Sequence, residues 1–267
     1  MTATAAESQD AERFVEGFAA GWDRPNPKVF SPLFAPEIRL IAPLLPTTEG
    51  VPAAEKAFER IFAVFKGMRG EVHHWAPHAD GVFIDFTLSA TLGGRGVSWR
   101  GIDRFLLRDG QASERLHYFD TRPLMWQATR LPRAWPGLVR AGARPRRPYL
   151  EAPRPRLDLA ATPPPVRAWA EHWQARTSRP SGLLAVLPEL RCEPLRWGQR
   201  GRTLFIESHF RAVVRGKLMR WPQVDRLRVH DGQPTDVESF LDSLALAARL
   251  WRSRETRRQL AELTSGR

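Results

Sequence analysis

Apolar residues recur at two different spacings in the first half of the chain, and each spacing predicts one type of element. Intervals of three and four predict amphipathic helices over residues 11–22 and 52–65, and Pro52 suits the first turn of the second helix. Helices followed by an antiparallel meander indicate an α+β domain. Alternation at intervals of two predicts strands over 36–41, 71–77, 82–92, 97–107 and 113–120.

A stretch of the chain occurs twice. Residues 99–120 return 122 positions later as residues 221–242, without a gap. When 75–124 is aligned with 197–246, thirteen of fifty positions are identical, where unrelated sequences would share roughly three. This pattern predicts a tandem duplication. The identities within the repeated stretch are Trp99/Trp221, Asp103/Asp225, Arg104/Arg226, Asp109/Asp231, Gly110/Gly232, Gln111/Gln233 and Asp120/Asp242.

The duplication divides the chain into four predicted parts. The second domain should begin with a helix over 166–176 and end with one over 243–263. It lacks a counterpart of the helix over 52–65, so we expect a truncated copy. The parts are a disordered tail (residues 1–10), a first domain (11–131), a semi-rigid linker rich in proline and arginine (132–165) and a second domain (166–264).

Composition narrows the possible partners. The formal net charge is +12 and comes from arginine, since the chain has only four lysines. No groove-reading or glycine-rich phosphate motif accompanies the charge, so no nucleic-acid partner is expected. A single cysteine, Cys192, excludes internal disulfides and a cysteine metal cluster. Without a signal segment or a bilayer-length apolar run, the sequence predicts a cytoplasmic protein with no membrane partner.

The first copy carries a motif of a known family. Residues 101–111 (GIDRFLLRDGQ), closed by Tyr118-Phe119-Asp120, resemble the SnoaL-like branch of the nuclear transport factor 2-like superfamily. Polyketide cyclases, ketosteroid isomerases and limonene epoxide hydrolase belong to this branch. The resemblance implies two cone-shaped α+β domains, each a curved antiparallel sheet whose helices close an apolar pocket. Because this scaffold serves enzymes and binding proteins alike, the motif is specific for the fold and weak for function.

The resemblance also implies a pair of acidic residues in the pocket. Asp85 and Asp120 fall on the positions that carry such a pair in limonene epoxide hydrolase. Two carboxylates in an apolar cavity acquire different pKa values, so one donates a proton while the other accepts one. Tyr118 would then donate a hydrogen bond to a developing oxyanion. The hydrolase has an arginine where this chain has Phe83. Arg104 on the adjacent strand could take the place of that arginine only if its strand face points inward.

The inner face of the strand over 97–107 stays open from the residues alone. Either Arg104 points inward, or Trp99, Asp103 and Phe105 do. Asp103 and Arg104 also fit a structural cross-strand pair. The predicted substrate-binding residues are Trp22, Phe18, Phe62, His74, Phe83 and Arg104.

Three histidines near one another suggest a metal cluster at first. His74 and His78 would share a strand face some ~13 Å apart, however, which is too far for one ion. His73 would point to the other face. No metal site and no cofactor are therefore predicted.

These observations predict a protein that binds a small apolar molecule, resembling a polyketide, steroid or terpene, in its first domain. We expect cofactor-independent acid/base chemistry there, such as cyclisation, isomerisation or addition of water to an epoxide. The alternative is a non-catalytic ligand-binding or accessory protein.

The second domain is expected to be mainly structural. Glu207 and Asp242 stand where Asp85 and Asp120 stand in the first copy, but loss of a wall would open the pocket to water. We expect an intramolecular pseudo-dimer, in a monomer or a homodimer. The faces expected to pack together are Ile84, Phe86 and Leu88 against Ile206, Phe210 and Val214.

Overall fold

A computed structural model of the protein describes residues 4–131, 133, 135–140, 157–178, 187, 189–214 and 217–242. These residues form two antiparallel meanders with helices packed on them, a mixed α+β architecture. The elements before residue 141 are α1 (Ala5–Gly21), a 3₁₀ turn (Ser31–Leu33), β1 (Phe34–Ile41), β2 (Thr48–Glu49), α2 (Val51–Val64), β3 (Lys66–His78), β4 (Gly81–Leu92), β5 (Arg95–Arg108), β6 (Gln111–Tyr118), α3 (Thr121–Thr129) and α4 (Trp135–Arg140). Those after it are a 3₁₀ turn (Leu159–Ala161), α5 (Pro164–Ser178), β7 (Arg191–Arg200), β8 (Thr203–Val214), β9 (Lys217–His230) and β10 (Gln233–Phe240).

The first sheet has six strands in the order β2-β1-β6-β5-β4-β3. Strands β3 to β6 form the predicted meander, and β1 joins β6 in parallel. Asp109 and Gly110 both have positive φ, 51° and 76°, which is the two-residue turn whose twist suits a β-hairpin.

The second sheet repeats the register of the first. Its four strands follow the order β10-β9-β8-β7. Phe83 pairs with Arg104 between β4 and β5, and Phe205 pairs with Arg226 between β8 and β9, both 122 positions further on. The irregularity in β3 after Val72 likewise recurs in β7 after Pro194. Among the described residues, the second sheet has no counterparts of β1 and β2.

The core of the first domain lies between its sheet and the helices α1 and α2. Phe18 of α1 packs edge-on against Phe86 of β4 and Phe105 of β5, with ring centroids 5.5 and 5.4 Å apart. Phe58 of α2 extends the aromatic layer towards β1. Aromatic pairs of this kind add stability beyond the apolar area that they bury.

The two sheets contact each other through faces opposite to those predicted. Ile84, Phe86 and Leu88 lie in the core of their own domain. Because side chains alternate along a strand, their neighbours point to the second sheet instead. The residues buried between the sheets are Ile41, Ala76, Phe83, Ile102, Leu116, Tyr118, Phe205, Val224 and Phe240.

The prediction that Ile206, Phe210 and Val214 of the second domain pack against the first sheet is wrong for the first two residues. Ile206 and Phe210 belong to clusters within that domain, and the side chain of Val214 lies outside the described part of the chain. The sheets approach closely at β3 and β7. A β-carbon at Gly198 would lie 2.4 Å from the carbonyl oxygen of Pro77, so only glycine fits there.

Several predicted boundaries differ from the structure. Helix α1 begins at Ala5, inside the predicted tail, because Thr4 and Glu7 form a capping box. The last strand of the first meander ends at Tyr118, since Asp120 caps helix α3. Residues 135–140 of the predicted linker form α4, which packs on the first domain through Leu138. The predicted helix over 243–263 lies outside the described residues.

Among the residues that the structure describes, no helix combines the length and the apolar character that crossing a membrane requires.

Candidate functional site

A cavity of about 120 Å³ lies in the first domain between the sheet and the helices α2, α3 and α4. Its walls are almost entirely apolar, and aromatic rings from α1, α2, β5 and the end of β6 contribute much of them. A cavity of this kind suits a small apolar ligand. The residues that line the cavity include Trp22, Thr48, Phe62, Trp99, Arg115, His117 and Phe119.

One polar group in this wall is a histidine held by a buried carboxylate. His117 on β6 lies opposite Asp103 on β5, and the His117 Nδ1 atom is 2.8 Å from Asp103 Oδ1. Arg115 binds the other carboxylate oxygen, with Nε and one terminal nitrogen each 2.8 Å from Oδ2. The His117 Nε2 atom is buried and has no hydrogen-bond partner among the described residues.

The electrostatics of the cluster decide the protonation states. Burial favours the protonated form of Asp103, but Arg115 and His117 outweigh burial and hold its pKa below the ordinary value. Burial lowers the pKa of His117, although Asp103 acts in the opposite direction. At neutral pH, Asp103 is therefore ionised and His117 is neutral. We assign the imidazole proton to Nδ1, which donates to Asp103, so Nε2 carries the lone pair.

Two of the predicted substrate-binding residues lie at this cavity. Trp22 and Phe62 line it, and the two rings meet edge to face with centroids 6.5 Å apart. Phe18 lies deeper, in the aromatic core behind Trp22.

Asp85 lies away from this cavity, against the second domain, because the parity of β4 turns it there. The side chain of Arg100 reaches both oxygens of Asp85, with Nε 2.8 Å from Oδ1 and a terminal nitrogen 2.5 Å from Oδ2. Arg226 of the second sheet lies 3.5 Å from Oδ2, and Glu238 joins both arginines. The prediction that Asp85 lies in the pocket is corrected.

Tyr118, Arg104 and Phe83 also face the second sheet. The Tyr118 hydroxyl donates to Glu207, and Arg104 donates to Glu114 at 2.6 Å while its Nε lies 3.7 Å from Glu207. Burial opposes the ionisation of Glu207, but Arg196 and Arg104 bring its pKa down to about 2. The same burial, together with Glu207, raises the pKa of Tyr118 well above its ordinary value. These groups form a buried ionic contact between the domains.

Asp120 and His74 are also separate from the cavity. Asp120 begins α3: its carboxylate accepts from the Arg122 backbone N–H at 3.0 Å and pairs with the Arg122 guanidinium. His74 lines a second, open hollow between α1 and β3, together with Trp75 and Arg200. The acidic pair implied by the resemblance is therefore not assembled, since Asp85 and Asp120 lie in different surroundings.

Sequence reasoning missed His117 because it placed the wrong face of β6 inward. The open question about β5 is settled in favour of the face with Trp99, Asp103 and Phe105. Once Asp103 faces inward, the hairpin register alone puts His117 beside it. The sequence signal that could have revealed His117 is a histidine directly opposite an aspartate that occurs in both repeated stretches.

The match to a known family covers the first domain. Residues 12–115 match the family model of the SnoaL-like domain. No curated protein matches the chain.

Several solved structures are similar to this part of the chain. One from a Jannaschia species is designated a SnoaL-like polyketide cyclase: it is 21% identical, with 47% of this chain and 94% of that one covered and a TM-score of 0.42. Another, from Catenulispora acidiphila, has a ketosteroid isomerase-like fold: it is 18% identical, with 46% and 95% covered and a TM-score of 0.42. The part of this chain that is similar to the SnoaL-like domain family is therefore residues 12–115.

Proposed function

We propose that the first domain binds a small apolar carbonyl compound and moves a proton within it, with His117 as the general base. The observation that carries the proposal is the buried Nε2 atom of His117, a side chain that lines the cavity. This atom has no hydrogen-bond partner among the described residues. A buried acceptor without a partner costs about 1–3 kcal/mol. A ligand that supplies a proton at this atom would remove that cost.

Each neighbour of His117 has a role in this chemistry. Asp103 holds the proton on Nδ1 and aims the ring, and its negative charge stabilises the imidazolium that forms when Nε2 takes a proton. Arg115 keeps Asp103 ionised. The apolar wall keeps water away from the reacting atoms, which strengthens these electrostatic effects.

The reaction class follows from a single base in an apolar site. A C–H bond next to a carbonyl breaks, its proton moves to Nε2, and the electron pair passes to the carbonyl oxygen as an enolate. Return of the proton from Nε2 to another carbon of a conjugated enolate gives an isomer. Attack of the enolate carbon on a second carbonyl instead closes a ring and leaves an alkoxide, which takes the proton back from Nε2. Both outcomes are redox-neutral and need no cofactor. Addition of water to an epoxide is less well supported, because Asp85, Asp120 and Tyr118 lie elsewhere.

We further propose that the second domain is a duplicated copy with a structural role. Its strand register repeats that of the first sheet at an offset of 122. The contacts between the sheets are reciprocal: Arg104 faces Glu207, and the equivalent Arg226 faces Asp85, with Phe83 stacked on its own equivalent Phe205. Reciprocal contacts of this kind are typical of a two-fold dimer interface. They support an intramolecular pseudo-dimer.

Deuterium exchange of a simple ketone tests the catalytic proposal without knowledge of the natural substrate. 2-Tetralone is apolar, and its C–H groups next to the carbonyl are acidic. We expect the full-length protein to accelerate their exchange in D₂O, followed by proton NMR. His117→Asn keeps an amide that can reach Asp103 but removes the base, and should slow the protein-catalysed exchange at least ~100-fold.

The matched control is His73→Asn, which removes a histidine that bonds Thr87 away from the cavity. This variant should exchange 2-tetralone at the wild-type rate. Exchange at the solvent background in the wild-type protein, or full exchange in His117→Asn, would contradict the proposal.

A further inference from the structure

Trp22 presents a buried hydrogen-bond donor without an acceptor at the same cavity. Its side chain is 2% exposed and lines the cavity, and its Nε1 atom has no partner among the described residues. An indole has only this one polar group, and it can only donate. Phenylalanine would fill most of the same space without leaving a donor unpaired, so packing alone does not explain the tryptophan.

The orientation of the Trp22 ring is fixed by its surroundings. Trp22 ends helix α1, where its backbone N–H bonds back to Ala19 and Ala20. The ring lies on Gly70 so closely that a β-carbon there would sit 2.6 Å from ring atoms. Phe86 stacks on another side at 6.4 Å. A donor held in one direction before a ligand arrives is preorganised, which lowers the cost of binding.

Trp22 and the proposed base, His117, both line the cavity and have one neighbouring ring in common. Trp22 and His117 both contact Phe86, with ring centroids 6.4 and 5.5 Å from it. One buried donor and one buried acceptor therefore stand around a single aromatic ring in an apolar cavity. A ligand that satisfies both must offer an acceptor oxygen to Trp22 and a proton to His117 while the rest of it stays apolar.

Other indoles of the chain show how unusual this arrangement is. Trp169 and Trp173 both donate to Asp225, and Trp135 donates to the Ala128 carbonyl. Trp197 and Trp221 also have buried N–H groups without a partner in the described part of the chain, but neither lines the cavity. Trp22 combines both properties.

We propose that Trp22 anchors the carbonyl oxygen of the ligand and thereby selects neutral cyclic ketones over hydrocarbons of the same shape. When His117 removes the neighbouring proton, negative charge collects on that oxygen, and the Trp22 N–H stabilises it. The inference rests on the proposed function for the role of His117. The preference for a ketone in binding does not depend on it.

The test compares 2-tetralone with tetralin, which has the same two rings and no oxygen. Binding of each to the full-length protein is measured by equilibrium dialysis. Trp22→Phe should weaken 2-tetralone about 5- to 10-fold, the effect of one hydrogen bond, and leave tetralin within about 2-fold. The exchange rate of bound 2-tetralone should fall ~100-fold, as for loss of an oxyanion donor. Trp221→Phe, which removes an unpartnered indole N–H in the second domain, should change neither ligand.

Each outcome bears on the inference. Equal weakening of both compounds in Trp22→Phe, no weakening of either, or no binding to the wild-type protein would overturn it. Selective loss of 2-tetralone supports it. If the wild-type protein shows that selectivity but no exchange above background, Trp22 remains the carbonyl anchor, and only the role of His117 as a base fails.

Discussion

Asp103 and Asp225 occupy the same place in the two sheets and have opposite surroundings. Each lies on the third strand of its meander and pairs in register with the last strand, Asp103 with His117 and Asp225 with Ser239. Asp103 has two cationic or titratable partners. Among the described residues, Asp225 accepts from neutral donors only: Gln223, Ser239, Trp169 and Trp173.

The partners reverse the electrostatics of the two carboxylates. Burial raises the pKa of Asp225, and its four hydrogen bonds do not cancel that effect. For Asp103, burial acts in the same direction, but Arg115 and His117 together outweigh it and lower the pKa. One aspartate belongs to a buried network with an arginine and a histidine, and the other is a hydrogen-bonded part of a core.

The covering elements differ as well. The partners of Asp103, Arg115 and His117, line the cavity. Asp225 is covered by helix α5, whose Trp169 and Trp173 direct their indole N–H groups onto the carboxylate. A residue that occurs at the same place in both sheets therefore does not mark a functional site by itself. The residue opposite it and the element that covers it decide what it does.

The contact between the two sheets is where residues at equivalent places behave alike, and disrupting it should have the largest effect. Arg104→Leu removes a fully buried cation between Glu114 and Glu207, and leaves both carboxylates with fewer partners. We expect the free energy of unfolding in urea to fall by about 3–5 kcal/mol, the cost of breaking a buried ion pair.

The equivalent change in the second copy is the control for that result. Arg226→Leu should cost less, because Asp85 keeps its two-point contact with Arg100. If Arg104→Leu costs less than about 1 kcal/mol, the buried charges do not hold the domains together, and the pseudo-dimer loses its main support.

Two tryptophan variants measure what the covering helix contributes. Trp169→Phe and Trp22→Phe remove the same atoms from buried rings, but only Trp169 loses a hydrogen bond, to Asp225 at 3.1 Å. We expect Trp169→Phe to lower the free energy of unfolding by about 1 kcal/mol more than Trp22→Phe, the contribution of one hydrogen bond. Equal losses would mean that Asp225 gains nothing from α5, and the contrast between the two aspartates would fail.

Much of the fold could be predicted from the sequence, because local patterns determine it. The alternation in β4 and β5, the Asp109–Gly110 turn and the repeat locate the meander and its copy. The parity of the strands is not a local property. Phe83 and Ile84 are both apolar and fully buried, since each side of β4 is covered, one by helices and the other by the second sheet.

That ambiguity explains the misplaced site. With β4 buried on both faces, Asp85 looked like a polar residue in a pocket, whereas it pairs with Arg100 and Arg226 at the domain contact. Helical periodicity is unambiguous for amphipathic helices, so the inward position of Trp22 and Phe62 could be predicted, whereas their role in binding a substrate stays a prediction. The position of His117 could not be predicted in this way, because it depends on which side of the hairpin faces the helices, and that is decided by the tertiary fold.

A further expected difference between the two domains is in their stability at acid pH. His78 and His117 of the first domain correspond to Arg200 and Ser239 in the second. Burial lowers the pKa of His78 to about 3, beside Phe83 at 4.8 Å. Between about pH 6.5 and pH 3 the unfolded chain therefore binds a proton at His78 that the folded chain does not, so stability falls as the pH falls. The slope is about 1.4 kcal/mol per pH unit for one proton.

His78→Gln removes that titration while keeping a polar side chain. The free energy of unfolding, measured by urea titration at several pH values from about 6.5 to about 4, should fall less steeply with pH by that amount. His230→Gln, which changes a largely exposed histidine in the β9–β10 hairpin of the second domain, should leave the slope in place. If instead His230→Gln flattens the slope and His78→Gln does not, the acid sensitivity belongs to the second domain. The buried histidine His78 then does not cause the loss of stability at low pH.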